Sequence, residues 1–192
     1  RDKVDLLLTH KYDDVDVMEC FKGYCPRAFW YFDLVSWPGD PSLAGRCEAR
    51  RNWMDNVIPH VEFGFMSDGD YVAQDKTGKL HWLCQGADER IMGRGRPFCD
   101  KCGRGDKEFD ILFTGISKGG GQQRESFVSE MQARYGDRFR HVTKGVHREE
   151  LRDLIAAAKI VVCPDSPVTD NYWSNRVWNA MGFGAFVIHP FC

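Results

Sequence analysis

Two polar stretches of this chain, each following a short apolar run, carry residue types that can hold a diphosphate. The first, FTGISKGGGQQR, begins at Phe113 and ends at Arg124, and it offers flexible backbone N–H groups and a guanidinium. The second, PDSPVTDNYWSNR, ends at Arg176 and leads into an amphipathic helix for which Ser174 and Asn175 are good N-caps. Free N–H groups at a helix start and guanidinium forks both match phosphate oxygens. We therefore expect one diphosphate to be held between the two arginines and the helix start.

A second set of residues has the spacing of a zinc ribbon. His81-x-x-Cys84 is followed, after fourteen residues, by Cys99-x-x-Cys102, in which CDKCG would form a knuckle-like turn. If both residues lie on a strand, the side chains of His81 and Cys84 face opposite sides of the sheet. The fourth zinc ligand could then be another cysteine in place of the histidine, or the site could have no fourth protein ligand. The cysteines that could replace it are Cys163 and Cys192. The pattern predicts a structural zinc, with reduced surface thiols as the other interpretation.

The composition is that of a globular chain. Its 192 residues are 43% apolar and 28% charged, with a formal net charge of −2, which argues against a general nucleic-acid or membrane binder. Eight cysteines spread over this length indicate thiols or metal ligands rather than disulfides. Because no apolar run is long enough to span a bilayer and no signal peptide is visible, we expect a cytoplasmic protein. Neither a P-loop nor a dinucleotide-binding glycine signature occurs.

The elements that must position these residues alternate between strand and helix. The apolar runs VDLLLT, RAFWYF, VEFGFMS and LHWLC predict four strands in the first 84 residues. Helices are expected over Val15–Lys22 and around Leu43–Val57. This alternation predicts a parallel sheet with crossover helices.

After a basic, glycine-rich segment the same alternation continues more clearly. The predicted strands are Asp110–Thr114, Phe139–Thr143, Ile160–Cys163 and Ala185–Ile188. The predicted helices are Glu125–Tyr135, His147–Ala158 and the helix that starts at 174. We expect three regions: an α/β domain over 1–85, a linker or insertion over 86–108, and a ligand-binding α/β domain over 109–192. The predicted fold class is Rossmann-like, with parallel sheets that carry helices on both faces and bind ligands beyond the carboxyl ends of the strands.

At this point several motifs resemble a known family. DILFTG…R, a glycine after the next strand (Gly145), and NRVWNAMGFGAFVI resemble the C-terminal half of group 1 glycosyltransferases of the GT-B fold, with the spore-maturation-type branch nearest. RAFWYFD, FGFMSDGD and LCQGAD resemble the end of that family's acceptor half and the passage into its donor half. The resemblance implies a glycosyltransferase whose C-terminal half binds a nucleoside-diphosphate sugar without a metal. Because the family's chain is longer at both ends, it also implies a truncated or unusually small member.

The resemblance assigns donor-binding roles residue by residue. Gly115 and Arg124 would face the phosphates, and Lys118 would add positive charge. The helix start would cap the phosphates through Ser174, Asn175 and Arg176. Asn179 would meet the ribose, and Asn171 and Asn179 stand where many relatives carry two glutamates. An amide can bind a hydroxyl without the charge that strengthens such a bond, so the nucleotide stays open.

Glycosyl transfer also needs an acceptor hydroxyl and, in inverting enzymes, a general base. Asp33, directly after the strand RAFWYF, is the first candidate for that base, and Asp88 in QGAD is the second. The motif SDGD at Ser67–Asp70 resembles the Asp-x-Asp metal motif of the other large glycosyltransferase fold, which is a weaker alternative. The acceptor, the sugar and the stereochemical outcome stay open.

A binding module is the competing hypothesis. Basic side chains surround the predicted zinc turn, as they do in nucleic-acid-binding loops. They are Arg90, Arg94, Arg96, Lys101, Arg104 and Lys107. The two hypotheses are compatible if the acceptor is a nucleic acid, and binding that falls steeply with salt would reveal phosphate contacts.

Overall fold

The structure is a computed structural model that describes residues 3–10, 15–36, 39, 41–86, 107–117, 122–143, 145–164, 169 and 171–190. The chain divides into two compact units. The N-terminal unit comprises Arg1–Gln85 with Thr169–Trp173, and the C-terminal unit comprises Gly86–Val168 with Ser174–Cys192. Each unit contains a four-stranded parallel sheet with helices in the connections. The predicted α/β class with parallel, Rossmann-like sheets is therefore confirmed.

In the N-terminal unit the strands follow one another across the sheet in chain order. They are β1 (Leu7–His10), β2 (Arg27–Tyr31), β3 (Phe63–Met66) and β4 (Leu80–Trp82). The helices between them are α1 (Val15–Cys20), α2 (Ala44–Val57) and α3 (Gly69–Val72), with 3₁₀ turns at Pro41–Leu43 and Ile58–His60.

All three helices of this unit contribute to the same core. Met18 of α1 and Met54 of α2 are fully buried against Phe29 and Tyr31 of β2, and Tyr71 of α3 packs against the same cluster. Every step from strand to strand runs in the same direction, and right-handed crossovers then place every helix on the same face. The prediction of helices on both faces is therefore not met by the described helices of this unit.

A cluster of charged groups fixes the start of β2. The Arg27 side chain is only 7% exposed, and its Nη2 lies 2.8 Å from Glu62 Oε1. Its Nη1 lies 3.3 Å from Glu19 Oε1, to which His60 Nδ1 is also bound at 2.7 Å. The hydrogen bond from Arg27 holds the pKa of Glu62 below its usual range, and that from His60 does the same for the pKa of Glu19. The cluster joins β2 to α1 and to the segment before β3.

The C-terminal unit has a different strand order. Its strands are β5 (Phe109–Thr114), β6 (Phe139–Val142), β7 (Ala158–Val162) and β8 (Phe186–Ile188). Its helices are α4 (Gln122–Tyr135), α5 (Arg148–Ala156) and α6 (Asn175–Gly182), with a 3₁₀ turn at Gly136–Arg138. The order across the sheet is β6-β5-β7-β8, and all neighbours are parallel.

This order places helices on both faces of the sheet. The chain steps from β5 outward to β6, returns past β5 to β7, and continues to β8, so right-handed crossovers put α4 on one face and α5 and α6 on the other. The side chains agree: Phe113 packs with Phe127 of α4, whereas Leu112 packs with Ile155 of α5 and Val177 of α6. The sheet is doubly wound, and its direction reverses between β5 and β7, where such sheets bind ligands.

The last helix and strand fold as their sequence indicates. Val177 and Ala180 bury the apolar side of α6, and Gly184 takes a φ of +74° just after the helix ends. This left-handed turn favours glycine and leads directly into β8. Among the described residues, no helix is both long and apolar enough to cross a membrane.

Candidate functional site

A cleft of about 180 Å³ opens at the carboxyl end of the C-terminal sheet. The connections after β5 and β6, the helix α5 and the first turn of α6 form its walls. Its lining residues are Thr114, Gly115, Val142, Thr143, Gly145, Val146, His147, Leu151, Ile155, Asn175, Arg176 and Asn179. Pockets that enclose a whole small ligand measure roughly 300–1,000 Å³, so this cleft has room for only part of such a ligand.

Four of the predicted donor-binding residues meet in this cleft: Gly115, Asn175, Arg176 and Asn179. Among the described lining residues, Arg176 carries a positive charge and none is a carboxylate. This balance favours an anionic ligand. The start of α6 adds positive potential at the same end, because the helix dipole has its positive pole there.

Three described neighbours contact Arg176. Its Nη1 donates to Ser174 Oγ at 3.1 Å, and its Cζ lies 5.7 Å from the centre of the Phe113 ring. The third neighbour is Gly115, whose φ is +140° and where an added Cβ would lie 2.7 Å from Arg176 Nε. The guanidinium thus extends across the carboxyl end of the sheet, from α6 on one face to Phe113, which belongs to the core of the other face.

Ser174 serves Arg176 rather than the helix backbone. It is the N-cap residue of α6, but its side chain makes no capping hydrogen bond. Its hydroxyl accepts a hydrogen bond from Arg176, and the residue is only 8% exposed, so Ser174 helps to hold the guanidinium in place. The predicted N-cap position is right, whereas the predicted use of the side chain differs.

Arg124, expected to share the diphosphate with Arg176, is only 8% exposed. Its Nε donates to the carbonyl of Pro164 at 3.2 Å, which fixes the start of the connection after β7 to α4. It is not among the described residues that line the cleft.

Asn171 belongs to the N-terminal unit. There its Nδ2 donates to Asp70 Oδ1 at 2.6 Å, and its carbonyl accepts from the N–H of Gly69 at 2.9 Å. The structure therefore gives Asn171 a partner within the SDGD motif, rather than a place in the cleft lining beside Asn179.

The first candidate for the general base, Asp33, lies just beyond the carboxyl end of β2. Its Oδ2 is 3.1 Å from Arg50 Nη2, and its side chain is 25% exposed. The segment that carries it is held by Asp68, which is fully buried and accepts from the N–H groups of Val35 and Ser36, each at 2.7 Å. Asp68 also accepts from the N–H of Tyr71, so this carboxylate of SDGD organises backbone.

The predicted zinc ligands are described only in part. His81 lies on β4 and Cys84 follows that strand, and both residues are exposed. Cys99 and Cys102 lie outside the described residues, as do Asp88, Lys118 and the segment with most of the basic side chains. No group of three or more metal-binding side chains occurs in the described part of the chain. The zinc site stays a prediction.

The buried thiol of Cys47 has a structural setting. Its Sγ donates to the carbonyl of Ser36 at 3.5 Å, and burial raises the pKa of the thiol. A protonated thiol is a weak nucleophile, so this cysteine stabilises the segment after β2 and offers no thiolate.

Sequence reasoning gave no site role to the third connection at this edge of the sheet, although Gly145 is part of the motif resemblance. Gly145, Val146 and His147 follow β6 and line the cleft, although only the connections after β5 and β7 were expected to meet there. The parallel pattern could have revealed them, because the carboxyl ends of all parallel strands meet at the same edge. His141 of β6 was also missed, because its place beside Phe113 depends on the strand register.

No known protein-family model matches this chain, and no curated protein matches it significantly.

Proposed function

We propose that the chain is a glycosyltransferase whose C-terminal unit binds the nucleoside-diphosphate sugar that serves as donor. The observation that carries this proposal is the cleft at the point where the doubly wound sheet reverses direction. The cleft joins Arg176 and the start of α6 with a glycine-lined strand end, and its described lining has no carboxylate. The motif resemblance described above supports the same donor class.

In this proposal the diphosphate lies against the Arg176 guanidinium and the first N–H groups of α6. Both groups stabilise negative charge that grows on the departing nucleoside diphosphate as the glycosidic bond breaks. Asn179 lies one turn further along α6, where its amide can donate to or accept from a donor hydroxyl.

On the acceptor side, the proposal assigns Asp33 as the base that receives the proton of the attacking hydroxyl in an inverting reaction. The hydroxyl oxygen forms the new bond to the anomeric carbon, and the nucleoside diphosphate leaves with the electrons of the old bond. Arg50 orients the carboxylate of Asp33 through their contact at 3.1 Å. Asp88 stays the second candidate.

Calorimetric titration with uridine, guanosine, adenosine and thymidine diphosphates, and with the corresponding nucleosides, tests this proposal. We expect at least one diphosphate to bind at least about tenfold more tightly than its nucleoside, since charged hydrogen bonds contribute about 1.5–3 kcal/mol each. The protein's melting temperature should rise with the same ligand. If no diphosphate binds, or if nucleosides bind equally well, the proposed donor site is wrong.

A further inference from the structure

We infer that His141 is a positioning residue for Arg176, and that it acts through the backbone of Gly115. This inference rests on the proposed function of the cleft for its binding consequence, but not for its geometry. His141 lies on β6, directly beside Phe113 of β5 in the sheet register.

The first link is a hydrogen bond. His141 Nε2 lies 2.8 Å from the carbonyl oxygen of Gly115. A carbonyl oxygen can only accept, so Nε2 must carry the proton in this contact. The N–H of Gly115 donates to the carbonyl of Val142 at 2.8 Å, so both polar backbone groups of this glycine are held by β6.

The second link is the space beside Gly115. With φ at +140°, its missing Cβ leaves the room that the Arg176 guanidinium occupies. A Cβ at Gly115 would lie only 2.7 Å from Arg176 Nε, so the guanidinium packs directly against the backbone of this residue. A small rotation of the peptide would therefore displace the arginine.

The third link is the stacking of two aromatic rings, those of His141 and Phe113. The imidazole of His141 stacks on Phe113, with ring centres 5.0 Å apart and planes inclined by 15°. Phe113 is fully buried, and Arg176 Cζ lies 5.7 Å from its ring centre. His141 therefore contacts two of the three described neighbours of the guanidinium, Gly115 and Phe113, although it does not itself line the cleft.

Two substitutions at His141 separate the hydrogen bond from the ring. His141→Phe keeps a stacking ring but removes the donor, whereas His141→Gln keeps an N–H donor at a similar reach without the ring. Gly115→Ala moves the arginine directly. The Nε–H resonance of Arg176, assigned by its loss in Arg176→Lys, reports the arginine's position because the Phe113 ring current shifts it.

We expect His141→Phe and Gly115→Ala to shift this resonance in the ligand-free protein, and His141→Gln to restore it. Nucleoside-diphosphate binding should weaken about three- to tenfold in His141→Phe, in line with one neutral hydrogen bond. It should return to within about twofold of the parent in His141→Gln, and nucleoside binding should not change. General destabilisation of the fold would not weaken the binding of nucleoside diphosphates while leaving that of nucleosides unchanged, and His141→Gln would not reverse such an effect.

Failure of this inference is distinguishable from failure of the proposed function. An unchanged Arg176 resonance in His141→Phe, or an equal shift in His141→Gln, would overturn the positioning role whatever the protein binds. If the parent bound no nucleoside diphosphate, the proposed function would fail, while the resonance would still decide whether His141 positions Arg176. If His141→Phe did not fold, His141→Leu, which also removes the donor to the Gly115 carbonyl, would replace it in the same comparison with His141→Gln.

Discussion

Two arginines of this chain show how setting decides the role of a guanidinium. The Arg27 side chain is 7% exposed and lies between the carboxylates of Glu19 and Glu62, at the amino end of its strand. Arg176 is partly exposed at the carboxyl end of the other sheet, against a ring, a hydroxyl and a glycine. A buried arginine that is surrounded by carboxylates has its charge neutralised and holds secondary-structure elements together. An arginine in a cleft, next to an aromatic ring and backbone but no carboxylate, can instead bind an anionic ligand.

The Arg27 cluster makes stability depend on pH. The pKa values of Glu19 and Glu62 are lowered in the folded state. Their contribution to the free energy of unfolding is therefore fully present above the unfolded pKa of about 4.3, and it is lost as the pH falls through the lower folded pKa values. Glu62→Gln should lower the free energy of unfolding at pH 7 by about 1–2 kcal/mol, a modest figure because its side chain is 44% exposed. The difference from the parent should shrink below pH 4.

Urea unfolding at a series of pH values provides the measurement. Glu48→Gln is the matched control, because Glu48 is exposed on α2 of the same unit. A constant difference between Glu62→Gln and the parent from pH 7 to pH 3 would contradict the assigned role of Glu62.

At the scale of elements, the segment after β2 depends on one carboxylate. Asp68 Oδ2 accepts from two backbone N–H groups, and Oδ1 accepts from a third at 3.0 Å. The Ser36 hydroxyl lies 2.9 Å from Oδ1 and 2.8 Å from Oδ2. These contacts attach the segment that carries Asp33 to the start of α3.

Asp68→Asn tests this attachment. In either orientation, the new amide group would meet backbone N–H donors, so we expect a loss of about 2–4 kcal/mol in the free energy of unfolding. Asp55→Asn, an exposed change on α2, should stay within about 0.5 kcal/mol of the parent. Equal urea midpoints for the two variants would show that Asp68 does not organise this segment.

Elements were predictable where local pattern decides them. The pattern indicates α6 and β8 because Ser174, the apolar face of the helix and Gly184 act over a few residues. Contacts between distant residues were not predictable. The bond from Arg124 to Pro164 joins residues 40 apart, and the pairing of His141 with Phe113 needs the strand register. The change of Ser174 from cap to arginine support likewise depends on where Arg176 lies.

At the scale of the whole molecule, the two units differ in the order of their strands. The N-terminal sheet runs β1-β2-β3-β4 and collects its helices in one core, whereas the C-terminal sheet reverses direction between β5 and β7. Only a reversal sends neighbouring connections to opposite faces and opens a crevice between them. Alternating strands and helices predict parallel sheets, but the alternation alone does not give the order. The location of the cleft in the C-terminal unit therefore follows from topology together with Arg176.

The central claim is that Arg176 meets the diphosphate of a nucleotide, and one paired substitution tests it most directly. Arg134→Ala is the matched control, because Arg134 Cζ also lies 5.7 Å from the centre of an aromatic ring, that of Tyr135, yet Arg134 does not line the cleft. Calorimetry should show Arg176→Ala weakening nucleoside-diphosphate binding roughly ten- to a hundredfold. Arg134→Ala should leave that affinity within about twofold of the parent, as one distant surface charge would. Equal affinities of the parent and both variants for the diphosphate would contradict the account.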